Sequence, residues 1–242
     1  MHLFAGVGGG LLADLILRHT PIVAVEWDAY ACQVLRERAA EGWFPDLSVW
    51  EGDVRLFDPS EYAGKMDCIH AGFPCTDLSV AGSQAGIGVE TRSGLYREVI
   101  RIAGIVRPGY IFLENVSAIL SGGLEFVLSD LAAMGFDVEW CCVRASDVGA
   151  PHQRDRWFGL ASNNSLLRRE RHLQVEVCRK QHLPWGNDGR GVEDWARRSN
   201  VCEPTVRRMG NGVPHRIHRV KGLGNAQVPL QAAVAWKLLG GQ

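Results

Sequence analysis

The segment Ala71-Gly72-Phe73-Pro74-Cys75-Thr76-Asp77-Leu78-Ser79 has the clearest chemical promise in this chain of 242 residues. The apolar run Met66–Ala71 that feeds it reads as a strand. Cys75 therefore falls at the carboxyl end of that strand, where ligands bind in parallel α/β sheets. Pro74 fixes the approach of the chain, and Val80–Ser93, rich in Gly and Ser, has the composition of a closing lid. A lone cysteine is more often a small buried hydrophobe than a nucleophile, so it needs partners. Two candidates are Glu114-Asn115-Val116, ending the fifth apolar run, and Arg154-Asp155-Arg156, opening the seventh. Thiol, carboxylate and arginine gathered around a nucleoside cofactor make a coherent reaction site. The plainer reading of the arginines is a surface ion pair with Asp155.

A cofactor pocket is suggested by Phe4-Ala5-Gly6-Val7-Gly8-Gly9-Gly10, placed between a strand and a helix. Glycines let the backbone turn tightly and approach a ligand at a helix N-terminus. Glu26 closes the second strand 20 residues after Gly6, where an acid accepts hydrogen bonds from ribose hydroxyls. Trp27 offers a flat face to an adenine, and Asp53 in Gly52-Asp53-Val54 offers an acceptor to its amine. No basic residue precedes Arg18, which suits a sulfonium nucleoside better than a pyrophosphate. Core packing of Trp27 and a glycine turn without a ligand are the plainer alternatives.

These residues need a sheet to hold them. Over the first 160 residues short apolar runs alternate with amphipathic stretches, the pattern of a parallel α/β sheet. The runs predict strands at Leu3–Phe4, Ile22–Glu26, Leu47–Trp50, Met66–Ala71, Tyr110–Glu114, Phe136–Val143 and Arg156–Ala161. Helices are predicted at Gly10–Arg18, Ala29–Ala40, Leu95–Val106, Gly123–Met134 and Leu230–Leu239. From Asn163 to Thr205 the periodicity fails and turn residues dominate, as in a small irregular region. The boundaries expected are 1–162 for the catalytic and cofactor-binding domain and 163–205 for the irregular region. Residues 206–242 follow as a last segment ending in a helix.

Composition narrows the class. With 22% charged residues, 46% hydrophobic residues and a mean hydropathy of −0.05, the chain is globular rather than disordered or membrane-embedded. The opening residues lack a signal-peptide pattern. Seven cysteines, none in a Cys-x-x-Cys pair, disfavour a disulfide framework or a zinc ribbon and point to a reducing cytoplasm. The net charge of −1 hides a division: residues 1–162 carry a net −9 and residues 163–242 a net +8. Such a chain can meet a polyanion with its basic end.

Read in order, Phe4-Ala5-Gly6-Val7-Gly8-Gly9, Glu26-Trp27, Gly52-Asp53-Val54, Gly72-Phe73-Pro74-Cys75, Glu114-Asn115-Val116, Arg154-Asp155-Arg156 and Gly224-Asn225-Ala226-Gln227-Val228-Pro229 resemble the C5-cytosine DNA methyltransferase family. The resemblance implies an α/β fold with a doubly wound, mostly parallel seven-stranded sheet and a small target-recognition region. It implies that Cys75 adds to C6 of a flipped-out cytosine, that Glu114 holds or protonates N3, and that Arg156 and Arg154 grip O2, with Asn115 fixing the Glu114 loop. S-adenosylmethionine, leaving as S-adenosylhomocysteine, would lie against Phe4, Ala5, Gly6, Gly8 and Gly9. Glu26 would meet its ribose, Trp27 and Val54 its adenine, Asp53 the amine, with Pro74 and Asn225 nearby. No metal is expected.

The same resemblance implies duplex DNA as partner, held through Ser79, Arg92, Arg207, Arg208, Arg216, Arg219 and Lys221. It further implies a cytoplasmic, nucleoid-associated monomer in a bacterial or phage-infected cell, serving restriction-modification beside a cognate endonuclease. His2 and His152 depart from the usual residues at their positions, and neither replaces a reacting group. The short region 163–205 predicts a short or relaxed recognition sequence. An RNA (tRNA) methyltransferase and a catalytically inactive nucleic-acid-binding relative are the rival readings.

Overall fold

The computed structural model describes residues 1–74, 92–163 and 216–242. Its seven strands are β1 (His2–Leu3), β2 (Val23–Glu26), β3 (Ser48–Glu51), β4 (Cys68–Gly72), β5 (Tyr110–Val116), β6 (Phe136–Arg144) and β7 (Asp155–Asn163). The helices are α1 (Gly9–Leu17), α2 (Ala29–Ala40), α3 (Tyr96–Val106), α4 (Leu124–Ala133), α5 (Arg216–Asn225) and α6 (Pro229–Leu238). One sheet runs β3-β2-β1-β4-β5-β7-β6. The order reverses beside β1, the switch point at which open α/β sheets bind ligands.

The first five strands are parallel, whereas β7 runs antiparallel to both β5 and β6. The sheet is thus mostly parallel, as expected, with its antiparallel member at the strand that the arginine motif opens. Because β7 points the other way, it is the beginning of β7 that lies beside the end of β5, with Arg156 opposite Val116. The shortness of β1 has a compensating position: its two residues pair with β2 on one side and β4 on the other.

Alternation assigns the two faces of the sheet. Ile111 and Leu113 of β5 and Trp157 and Ala161 of β7 join one core with Val99 and Ile102 of α3 and Val127 and Leu131 of α4. Phe112, Phe158 and Leu160 point to the opposite face, where Ala13 of α1 and Leu230, Ala233 and Trp236 of α6 cover them. Local chemistry sets the helix starts. Asp28 caps α2 by accepting from the Tyr30 and Ala31 amides at 3.1 and 3.2 Å, and α6 opens on Pro229. The helix α5 is not among the predicted elements: its sequence, Arg-Ile-His-Arg-Val-Lys-Gly-Leu-Gly-Asn, carries two glycines and little apolar periodicity. Among the described residues no helix is long and apolar enough to cross a membrane.

Candidate active site

The turn after β1 is pinned from the end of β2. Glu26, buried, accepts the Gly6 amide on Oε2 at 2.7 Å and the Trp27 and Asp28 amides on Oε1, both at 2.9 Å. A carboxylate accepts about four hydrogen bonds, so Oε2 keeps capacity for one more donor, such as a hydroxyl. Phe4, Gly6 and Gly8 all adopt left-handed backbone, and a Cβ on Gly6 would meet nothing within 4 Å. That open space is where a ligand can approach the helix N-terminus. Gly9 serves a different purpose from the ligand approach expected of it: a Cβ there would collide with the Gln227 carbonyl oxygen. It is glycine because the turn before α6 packs on it.

Around this turn, Phe4, Ala5, Gly6, Gly72, Glu114, Asn225 and Ala226 line a cavity that reaches down to His2, His70 and Gln227. Trp27 stands at 74% exposure beside it in sequence, an open aromatic face. Val54 departs from expectation: at 5% exposure it is turned into the core with Phe57. Asp53 caps a short 3-10 turn by accepting from the Arg55 amide at 3.0 Å, and the Arg55 guanidinium beside it holds its carboxyl below the usual range. An adenine amine would have to share that carboxylate with Arg55.

At the other end of the cavity, Glu114 is 8% exposed and its Oε1 lies 3.0 Å from Arg156 Nε. The antiparallel β5–β7 register places these two diagonally on one face of the sheet. Burial pushes the Glu114 carboxyl up, against the opposing pull of Arg156, Arg154 and a hydrogen bond from Gln227. Burial is the larger of the two influences, so the carboxyl sits above its ordinary range beside two cations.

Arg154, expected beside Arg156 on a base, is placed here on the last segment. Its Nη1 and Nη2 donate to the carbonyls of Gly224 and Ala226, both at 2.8 Å, and so clamp the turn between α5 and α6. Asn115, expected to fix the Glu114 loop, makes two contacts at the end of β5. Its Nδ2 donates to the Phe73 carbonyl at 3.3 Å and its Oδ1 accepts the Val116 amide at 2.8 Å, tying the end of β5 to the segment that leads to Pro74.

Cys75, Ser79, Arg207 and Arg208 lie outside the described residues. Arg92 begins a short 3-10 turn, Arg92–Leu95, and Arg216 and Arg219 lie on α5. Lys221, expected on a phosphate, pairs with Asp28 at 2.7 Å. Sequence reasoning missed Gln227 and His70, both within reach of Glu114 or the cavity; Gln227 stood inside a quoted motif with no role attached.

Beneath the cavity, His2 and His70 lie in register on neighbouring strands, their ring centroids 4.9 Å apart. Asp14 reaches His2 Nε2 at 2.6 Å. One ligand atom from each of the three lies within 4.8 Å of the others. Asp14 is nevertheless spoken for, since it pairs directly with His2 at 2.6 Å and lies 3.7 Å from His19 Nδ1.

Comparison with known proteins fits this geometry. A family model described as C-5 cytosine-specific DNA methylase matches residues 1–190. The type II methyltransferase M.CviJI of Paramecium bursaria Chlorella virus IL3A is 39% identical over 190 residues, covering 78% of this chain and 48% of its own. M.HhaI of Haemophilus parahaemolyticus is 30% identical over 168 residues, covering 68% and 49% respectively. The chain thus spans about half the length of the curated relatives it matches. Among solved structures, a DNA modification methyltransferase encoded within a prophage of E. coli superposes with a TM-score of 0.55 at 28% identity, covering 68% of this chain and 46% of that one.

Proposed function

Because the chain belongs to the C-5 cytosine-specific DNA methylase family, we propose that it methylates C5 of cytosine in duplex DNA through a covalent Cys75–C6 adduct. The observation that carries this reading is the buried Glu114 held 3.0 Å from Arg156 beside the cavity of the glycine turn.

Attack of the Cys75 thiolate on C6 pushes the electron pair of the C5–C6 double bond into the ring. Charge then accumulates toward N3 and O2. A protonated Glu114 hydrogen-bonds or protonates N3, and the Arg156 guanidinium stabilises the charge at O2. These interactions strengthen as the adduct forms, which is how they lower the barrier. C5, made nucleophilic, takes the methyl group; a base removes the C5 proton, the double bond re-forms, and Cys75 leaves as thiolate. The target base must leave the duplex stack to meet these groups.

The residues present fit S-adenosylmethionine: the open space over Gly6, the spare acceptor capacity of Glu26 Oε2 and the exposed face of Trp27 match turn, ribose and adenine in turn. When bound it supplies the electrophilic methyl group. Asn115 steadies the backbone leading to Cys75, and Arg154 holds the turn that carries Asn225 against the pocket. The basic segment 163–242, with its net +8, supports backbone phosphate contacts and a duplex partner.

The test is transfer of tritiated methyl groups to duplex DNA and to tRNA side by side, followed by trapping on a 5-fluorocytosine duplex. Labelled DNA and a covalent adduct lost in Cys75→Ala are expected. Labelling of tRNA alone moves the substrate to RNA; full activity of Cys75→Ala rejects the nucleophile.

A further inference from the structure

We propose that Gln227 is a positioning residue for Glu114, its side-chain amide donating to the carboxylate so that both carboxyl oxygens are held when the target ring arrives. The proposal rests on the methyltransferase reading above and adds to it a residue outside the chemistry itself.

Three glycines make room for Gln227. A Cβ on Gly9 would strike its backbone carbonyl; on Gly10 one would stand 2.9 Å from its Oε1; on Gly72, 3.0 Å from its Nε2 and 3.1 Å from Glu114 Oε2. Three different positions on α1 and β4 thus give up their side chains around one glutamine. The backbone just before it is fixed as well, by the two hydrogen bonds from Arg154 to Gly224 and Ala226.

Its amide has a donor end and an acceptor end, and the surroundings orient it. The donor end faces Glu114: Gln227 Nε2 and Glu114 Oε2 both border the space over Gly72, and the amide draws the carboxyl's pKa down against burial. Since Arg156 Nε occupies Glu114 Oε1, the amide at Oε2 removes the remaining freedom of the carboxyl group. The acceptor end, Oε1, faces the His70 ring in a looser contact, with no close hydrogen bond of its own. His70 is buried, and burial holds it neutral down to about 3, so no cation competes for the amide from that side at working pH.

The charged and titratable groups around Glu114 are Arg156 and Arg154 at the start of β7. Behind Gln227 stand His70 on β4, His2 on β1 and Asp14 on α1. An amide N–H donated to a carboxylate favours its ionised form. Removing the donor therefore raises the Glu114 pKa and, because the protonated acid serves N3, moves the alkaline limb of the rate profile upward. A merely structural loss would lower the rate at every pH without moving that limb.

The experiment titrates Glu114 by carbon NMR of carboxyl-labelled glutamate, assigned with Glu114→Gln, in the whole chain and in Gln227→Leu and Gln227→Glu. The leucine removes both ends of the amide; the near-isosteric glutamate keeps the packing, loses the donor and adds a like charge, so it decides the matter if the leucine variant does not fold. Both should raise the Glu114 pKa by about one unit, with the alkaline limb of kcat displaced equally and turnover at neutral pH reduced about tenfold. An unchanged Glu114 titration in a folded variant overturns the proposal. A wild-type chain that titrates as expected but methylates no cytosine overturns the functional reading instead and leaves the positioning contact standing.

Discussion

At the scale of single residues, the site is governed by what burial does to Glu114. A carboxyl group taken out of water resists ionisation, and Arg156 keeps it from being driven entirely neutral. The Glu114→Gln substitution keeps volume and hydrogen-bonding reach but cannot deliver a proton to N3. Methyl transfer should fall on the order of 100-fold, measured as kcat on duplex DNA, and the alkaline limb assigned to Glu114 should vanish. Arg156→Ala removes the main cation favouring ionisation, so the Glu114 pKa should rise further; a fall, read by the same carboxyl titration, would contradict the sign of the pair.

At the scale of elements, function depends on contacts that join segments far apart in sequence. Asn115 ties β5 to the end of β4 through the Phe73 carbonyl. Asn115→Ala leaves that carbonyl and the Val116 amide without their partners, an expected cost of about 1–3 kcal/mol in urea unfolding. Asn115→Asp keeps the acceptor for Val116 but sets a buried carboxyl against the Phe73 carbonyl, so its cost should be at least as large. Arg154 joins the start of β7 to the turn between α5 and α6. Arg154→Ala should therefore raise the KM for S-adenosylmethionine, through Asn225 and Ala226 on the cavity wall, more than it lowers kcat.

Much of this was legible in the sequence and some was not. Glu26 and the glycine turn could be read directly, because a strand end, a tight turn and an acid 20 residues apart are local features. The roles of Arg154 and Gln227 could not, since each depends on which strand lies beside which. Gly9 looks like a ligand-facing glycine in sequence and is a packing glycine in space.

At the scale of the whole molecule, a buried polar layer of His2, Asp14 and His70 underlies the cavity. It makes stability depend on pH in a definite direction. His70 stays neutral in the folded chain down to about 3, while in the unfolded chain it protonates near 6.5. Between those limits the unfolded state binds the extra proton, so stability falls as pH falls, by about 1.4 kcal/mol per unit for this one site. Asp14 adds a further loss only below about pH 4, because its carboxyl, depressed by His2 and His19, resists protonation in the folded chain alone. Urea midpoints measured between pH 7 and pH 4 should drop steadily, and His70→Leu should flatten the slope; an unchanged slope would remove His70 from the account.

The sequence by itself determined the α/β class, the glycine turn with its acid, and the identities of the groups that meet at the site. Those follow from local periodicity and from residue chemistry, which a linear string carries in full. Only the tertiary structure decided that β7 runs antiparallel, which sets Arg156 against Glu114, turns Arg154 toward the last segment and lets Gln227 reach the carboxyl. Alternating apolar residues state which face of a strand is buried. They do not state the direction of its neighbour, because hydrogen bonding satisfies the backbone in either direction.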